Sequence, residues 1–194
     1  PENLNDDLAV FTEPASVALH AYKAAKKDRK FDTVIILGLG PIGILLASWC
    51  KLNKIKNVIG VDRNENRFKN FKDLGFKNII NTSKDDFLSK LNNFTSNKGV
   101  EIAFECSGSV ELLSKGILSL SKGGKIIVLS NQTKDVTLNQ KVLNKFLRQE
   151  IKIVGSWSSV IDSHNEWLET LDMLNSGKLL IKGLISHKYK FSDA

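Results

Sequence analysis

Several residue types are scarce in this 194-residue sequence, and each shortage excludes something. There are two cysteines, Cys50 and Cys106, at a spacing that suits neither a disulfide framework nor a zinc cluster. No cationic, small-residue-terminated leader opens the chain, which sets the expectation of a cytoplasmic protein. Uninterrupted apolar stretches of spanning length are missing too. The run from Val34 to Cys50 comes near one, but Gly38, Gly40, Pro41 and Gly43 break it in the middle, so no membrane span is expected. Acidic residues are outnumbered, 21 against 28 Lys and Arg, a balance found in nucleic-acid binders. Here, however, the lysines are spread along the whole chain. Their densest group, Lys23, Lys26, Lys27, Arg29 and Lys30, has no interleaved aromatics to stack on bases, and it reads as a solvated helix face with no nucleic-acid partner. There is no initiator Met, and Ser192 sets a helix N-cap in front of a helix that does not follow. Residues 1–194 are therefore expected to form one domain of a longer enzyme.

What is present is a regular alternation. Val- and Ile-rich strand candidates fall at Thr33 to Leu37, Asn57 to Val61, Asn78 to Ile80, Glu101 to Glu105, Lys125 to Leu129 and Lys152 to Gly155. Helical patterns separate them at about 41 to 53, 64 to 74, 84 to 93, 110 to 121 and 138 to 148. One more helix, Pro14 to Arg29, leads in, and another covers about Ser163 to Asn175. Parallel strands need crossover connections, so this order predicts an α/β protein with helices on both faces of a parallel sheet. Six strands in two groups of three predict the doubly wound, three-layered Rossmann fold.

Three of the chain's glycines and one of its three prolines are concentrated in G-L-G-P-I-G at 38 to 43, between the first strand and the next helix. The stretch fits the G-x-G-x-x-G dinucleotide fingerprint. Gly38 permits the tight turn, Gly40 leaves room for a pyrophosphate, and Gly43 lets the helix pack on the sheet. Pro41 suits a first helical turn, and the N–H groups beside Ile42 face a phosphate together with the positive end of the helix dipole. Asp62 ends the second strand 19 positions after Gly43, where a carboxylate accepts hydrogen bonds from the adenosine ribose. Such an acid repels a 2′-phosphate and favours NAD. Arg63 keeps NADP open, and Arg67 is placed either over the adenine or in solvent. Glu105, Cys106, Ser107 and Gly108 end the fourth strand and Leu129 and Ser130 close the fifth, so both segments are expected to line the same groove. Cys106 has no His or Asn partner near it and reads as packing rather than as a nucleophile.

Longer segments carry a resemblance. E-P-A-S-V-A-L-H-A at 13 to 21, V-D-R-N-E-N-R at 61 to 67, E-C-S-G at 105 to 108, G-G-K-I-I-V-L-S at 123 to 130 and L-R-Q-E-I-K-I-V-G-S-W at 147 to 157 join the glycine motif. Together they resemble the zinc-containing medium-chain alcohol dehydrogenases, in the polyol branch of sorbitol dehydrogenase and galactitol-1-phosphate 5-dehydrogenase. The resemblance implies oxidation of a secondary alcohol on a polyol or sugar phosphate, with zinc binding the alkoxide and a hydride passing to NAD. It places Glu13 at or near the zinc, or alternatively as an acid favourable to a helix N-terminus. Val17 then packs on the nicotinamide or in the core, and His20 is left structural. It also implies a homodimer through the sixth strand. The family's other zinc ligands precede the matching region, so this chain is expected to be inert alone. Two other readings fit the same motif: a non-catalytic NAD(H) sensor and a zinc-free medium-chain reductase.

Overall fold

A computed structural model describes residues 4–28, 30–162, 165–181 and 183–193, with the side chain of Phe191 outside the description. Six strands form one sheet: β1 (Thr33–Leu37), β2 (Asn57–Asp62), β3 (Asn78–Asn81), β4 (Val100–Glu105), β5 (Leu120–Val128) and β6 (Lys152–Gly155). Their order is β3-β2-β1-β4-β5-β6 and every pairing is parallel. The helices are α1 (Asp6–Ala9), α2 (Thr12–Lys26), α3 (Pro41–Leu52), α4 (Phe68–Asp73), α5 (Phe87–Thr95), α6 (Val110–Ser119), α7 (Gln140–Arg148) and α8 (Glu166–Asn175).

The pleat sorts successive strand residues to opposite faces, and each face has its own core. Val34, Ile36, Val58, Ile102, Phe104 and Ile127 pack with α2, α3, α4 and α8. Ile35, Leu37, Ile59, Val61, Ile80 and Ile126 pack with α5, α6 and α7. Because both faces are covered there, the central strands β1, β2 and β4 are continuously apolar through their middles rather than alternating. Each fully buried Ile or Leu contributes about 1.5–3 kcal/mol. Trp49, the largest buried side chain, has a polar edge as well, and its indole N–H donates to the Ala15 carbonyl at 2.9 Å, tying α3 to α2.

Local caps explain where the helices start. Asp86, Ser109, Asn139 and Asn165 each accept a backbone N–H of the first turn, at Ser89, Leu112, Val142 and Leu168. These caps shift several expected starts: α5 begins at Phe87 instead of 84, and α7 at Gln140 instead of 138. The lead-in helix runs from Thr12 to Lys26, not from Pro14 to Arg29, and Arg29 lies outside the described residues. Pro14 fits inside its first turn because the N–H groups there have no intrahelical acceptor. The expected start of the last helix, Ser163, also lies outside the description, and α8 begins at Glu166. The expected helix at 64 to 74 divides into a 3-10 turn, Glu65–Arg67, and α4. At the chain end, Phe191–Asp193 forms a single 3-10 turn.

Strand β5 departs most from expectation. It begins at Leu120, five residues early, and the expected helix at 110 to 121 ends at Ser119. Leu120 pairs with Val100, a register shift follows, and regular pairing resumes at Ile102 with Lys125. The turn-like Ser121-Lys122-Gly123-Gly124 is thus an irregularity within a strand. Lys125, 3% exposed, donates to the Ala25 carbonyl at the end of α2 and pairs with Asp28 at 3.1 Å. No helix among the described residues is long and apolar enough to cross a membrane.

Candidate functional site

Connections from β1 and β4 leave the sheet in opposite senses, which opens a crevice at the carboxyl ends of these neighbouring strands. On the β1 side lies the glycine turn. Gly38 has φ +99°, a conformation that few side-chain-bearing residues adopt, and its N–H donates to the Val61 carbonyl at 2.8 Å. Gly43 is needed for close approach: a Cβ there would stand 1.9 Å from the Gly38 carbonyl oxygen. Around Gly40 the situation is reversed, since nothing lies within 4 Å of where its Cβ would be. Gly40 is also the N-cap of α3, with Pro41 exposed in the first turn and Ile42 half-buried behind it. The first-turn N–H groups of α3 therefore open onto free space at the positive end of the helix dipole.

Asp62 closes β2 and is 4% exposed. Its Oδ2 accepts the Leu39 N–H of the glycine turn at 2.9 Å and the Arg67 guanidinium at 3.1 Å, and its Oδ1 accepts the Asn64 N–H at 2.8 Å. Burial pushes this carboxyl up, but the two backbone donors and Arg67 outweigh it, holding the group below the usual carboxylate range. The acid is anionic at neutral pH. Arg67 is thus placed against Asp62 at the turn, while Arg63 is exposed.

The β4 side is built around Glu105, which the sequence placed only as part of a groove-lining segment and which turns out to be buried beneath it. Glu105, fully buried, accepts the Ser107 N–H at 2.8 Å, the Gly108 N–H at 3.1 Å and the Gln132 side-chain amide at 2.9 Å, together with the Ser107 and Ser130 hydroxyls. The signal was in the sequence: an acid that closes the apolar run I-A-F-E must find donors if it is buried. Ser107 is exposed, and its Cβ lies 3.1 Å from the point a Gly38 Cβ would occupy, so this loop abuts the glycine turn. Cys106 and Leu129 are half-buried and extend the ladder, donating to the Leu37 and Glu105 carbonyls. Burial, then the Glu105 carboxylate, raises the Cys106 thiol well above its ordinary value, and burial does the same at Cys50. Neither thiol is a nucleophile at neutral pH.

The glycine turn, Asp62, Arg67, the 106–108 loop and residues 129–130 are thus brought to one end of the sheet. Glu13 and Val17 lie on α2. Among the described residues no hydrogen bond or ion pair joins their side chains to the turn. Their neighbour Ser16 meets Ser159 at 3.1 Å in the loop after β6, and His20 meets the buried Glu166 at 3.1 Å, a structural contact for this histidine. Among the described residues no three His, Cys, Asp or Glu form a metal-binding group. Glu13 is exposed, and a catalytic zinc takes about three protein ligands, so these residues do not fit a zinc centre by themselves.

The comparisons agree with this geometry. The sorbitol dehydrogenase of Halalkalibacterium halodurans is 30% identical over all of this chain, which spans 55% of that protein. The galactitol-1-phosphate dehydrogenase structure from Escherichia coli superposes with a TM-score of 0.87 at 22% identity, over 96% of this chain and 54% of that one. Two further structures share the fold. An alcohol dehydrogenase from E. coli CFT073 complexed with NADH has a TM-score of 0.78 at 23% identity, covering 93% of this chain and 51% of that one. A zinc-binding dehydrogenase from Sinorhizobium meliloti 1021 bound to NADP has 0.81 at 22%, covering 96% and 53%. The chain spans about half the length of each. The family profile described as zinc-binding dehydrogenase matches residues 41–176, and the chain belongs to that family.

Proposed function

We propose that this chain is the NAD(H)-binding part of a zinc-dependent polyol or sugar-phosphate dehydrogenase, which oxidises a secondary alcohol to a ketone. The observation that carries the reading is the contact between Asp62 and the Leu39 N–H, because it sets a buried anionic acceptor beside an open helix N-terminus. The space over Gly40 admits a pyrophosphate, which the first-turn N–H groups of α3 bind. Asp62 accepts hydrogen bonds from the adenosine ribose and repels a 2′-phosphate, which favours NAD over NADP. Residues 106–108 with Leu129 and Ser130 flank the nicotinamide, which accepts the hydride when bound. Val17 packs on it from α2, and Glu13 approaches a zinc whose other ligands belong to the rest of the enzyme.

The edge strand β6 supports the homodimer reading. Ile153 on β6, Leu143 and Leu147 on α7, and Trp157 just beyond are all exposed, and pairing through β6 removes an open edge. Sedimentation equilibrium is expected to give a dimer that Ile153→Lys dissociates; a monomeric wild-type chain refutes this part. The cofactor reading is tested by fluorescence titration with NADH and NADPH. It expects NADH to bind more tightly and Asp62→Ala to erode the difference. Tighter NADPH binding contradicts the assignment of Asp62.

A further inference from the structure

We propose that Glu105 is a positioning residue that sets the nicotinamide half of the groove, an inference that rests on the cofactor reading above. Its two oxygens offer about four acceptor sites, and five donors converge on them. Three come from the loop after β4: the Ser107 N–H, the Ser107 hydroxyl and the Gly108 N–H. Two come from the loop after β5, the Ser130 hydroxyl and the Gln132 amide. The Gly108 N–H also reaches Ser130 Oγ at 2.8 Å, which closes the two loops on each other.

Burying a carboxylate is costly, and among the described residues no Lys, Arg or His forms an ion pair with Glu105, so among them the compensation comes from these donors. A neutral apolar side chain would fill the same strand-end position. It would also leave the Ser107 and Gly108 N–H groups without this acceptor and the two loops without a common anchor. What the carboxylate fixes is the separation of the segments that flank the second half of the crevice, with the first of them pressed against Gly38. The adenosine half has its own carboxylate, Asp62, and does not depend on this one.

That independence makes the inference testable by splitting the ligand. ADP reports the adenosine half and NADH both halves; calorimetry follows ADP, and nicotinamide emission follows NADH. In Glu105→Ala, ADP affinity is expected to stay within about twofold while NADH affinity falls by about tenfold or more, the loss expected for hydrogen bonds to a charged group. The emission gain on NADH binding is expected to disappear. Glu105→Gln keeps one acceptor oxygen and is expected to fall in between. Gln132→Ala cuts a single arm at a residue outside the segments assigned to the nicotinamide, is milder for folding, and is expected to weaken NADH alone, so it carries the test if Glu105→Ala does not fold. Unchanged NADH affinity in the folded variants overturns the inference, and so does a parallel loss of ADP and NADH. A wild-type chain that binds neither ligand overturns the cofactor reading itself, and this inference with it.

Discussion

Two carboxylates end two strands of this sheet, Asp62 on β2 and Glu105 on β4, and each gathers backbone N–H groups from an adjoining loop. Asp62 takes three donors, against about four lone-pair sites on a carboxylate, and one of the three is the half-exposed Arg67. Acceptor capacity therefore remains at the rim, and more appears if Arg67 swings away. Glu105 takes five donors, is fully buried, and has none to spare. On the proposed reading, the same chemical device serves in one place as a contact for a ligand and in the other as an internal brace. Spare acceptor capacity, rather than burial or charge, separates the two roles.

The largest perturbation removes the turn that the two halves share. Gly43→Ala places a methyl against the Gly38 carbonyl oxygen, a backbone atom that cannot step aside as a side chain would. A cost of roughly 3 kcal/mol, the upper end for overpacking, is expected as a lower urea midpoint, with ADP and NADH binding lost together. Next in size, Asp62→Ala is expected to weaken ADP and NADH equally, by about 10- to 100-fold, because hydrogen bonds to a charged group contribute roughly 1.5–3 kcal/mol. That parallel loss is the opposite of the split expected at Glu105, and calorimetry on both variants distinguishes them.

How much of this was legible follows from what each residue had to satisfy. The sheet was readable because strands buried on both faces must be apolar along most of their length, and the runs at 34–37, 58–61 and 102–104 are. The glycine turn and Asp62 were readable because their requirements, a left-handed turn, close packing and an acid at a fixed distance, leave a pattern in residue types. Glu105 was hidden. Its donors are mostly backbone N–H groups and serines, which carry no distinctive pattern, and a strand-end acid looks the same whether it meets a ligand or a loop. The early start of β5 was hidden for a related reason, since Ser121 to Gly124 has turn composition and only its pairing with Val100 makes the segment a strand.

A smaller effect concerns pH. The Asp62 carboxyl is depressed in the folded chain, so its contribution is fully present above the unfolded value of about pH 4 and is lost as pH falls through the folded value. Thermal melts between about pH 5 and pH 2 are expected to show the wild type losing stability more steeply than Asp62→Asn. Identical slopes would mean that the turn does not stabilise the anion. Smallest of all is Arg67→Ala. A half-exposed ion pair contributes at most about 1 kcal/mol, so the melting temperature is expected to move by only a few degrees. A loss of NADH binding as large as that of Asp62→Ala would instead make Arg67 a main contact.

The most direct test of the central claim is an amide-resolved NMR titration of the wild-type chain with NADH. The account predicts shifts concentrated at Gly38 to Gly43, at Asp62 to Asn64 and in the loops at 106–108 and 129–132, saturating together. Saturable binding whose shifts fall elsewhere, or no shifts from a folded chain, would contradict it.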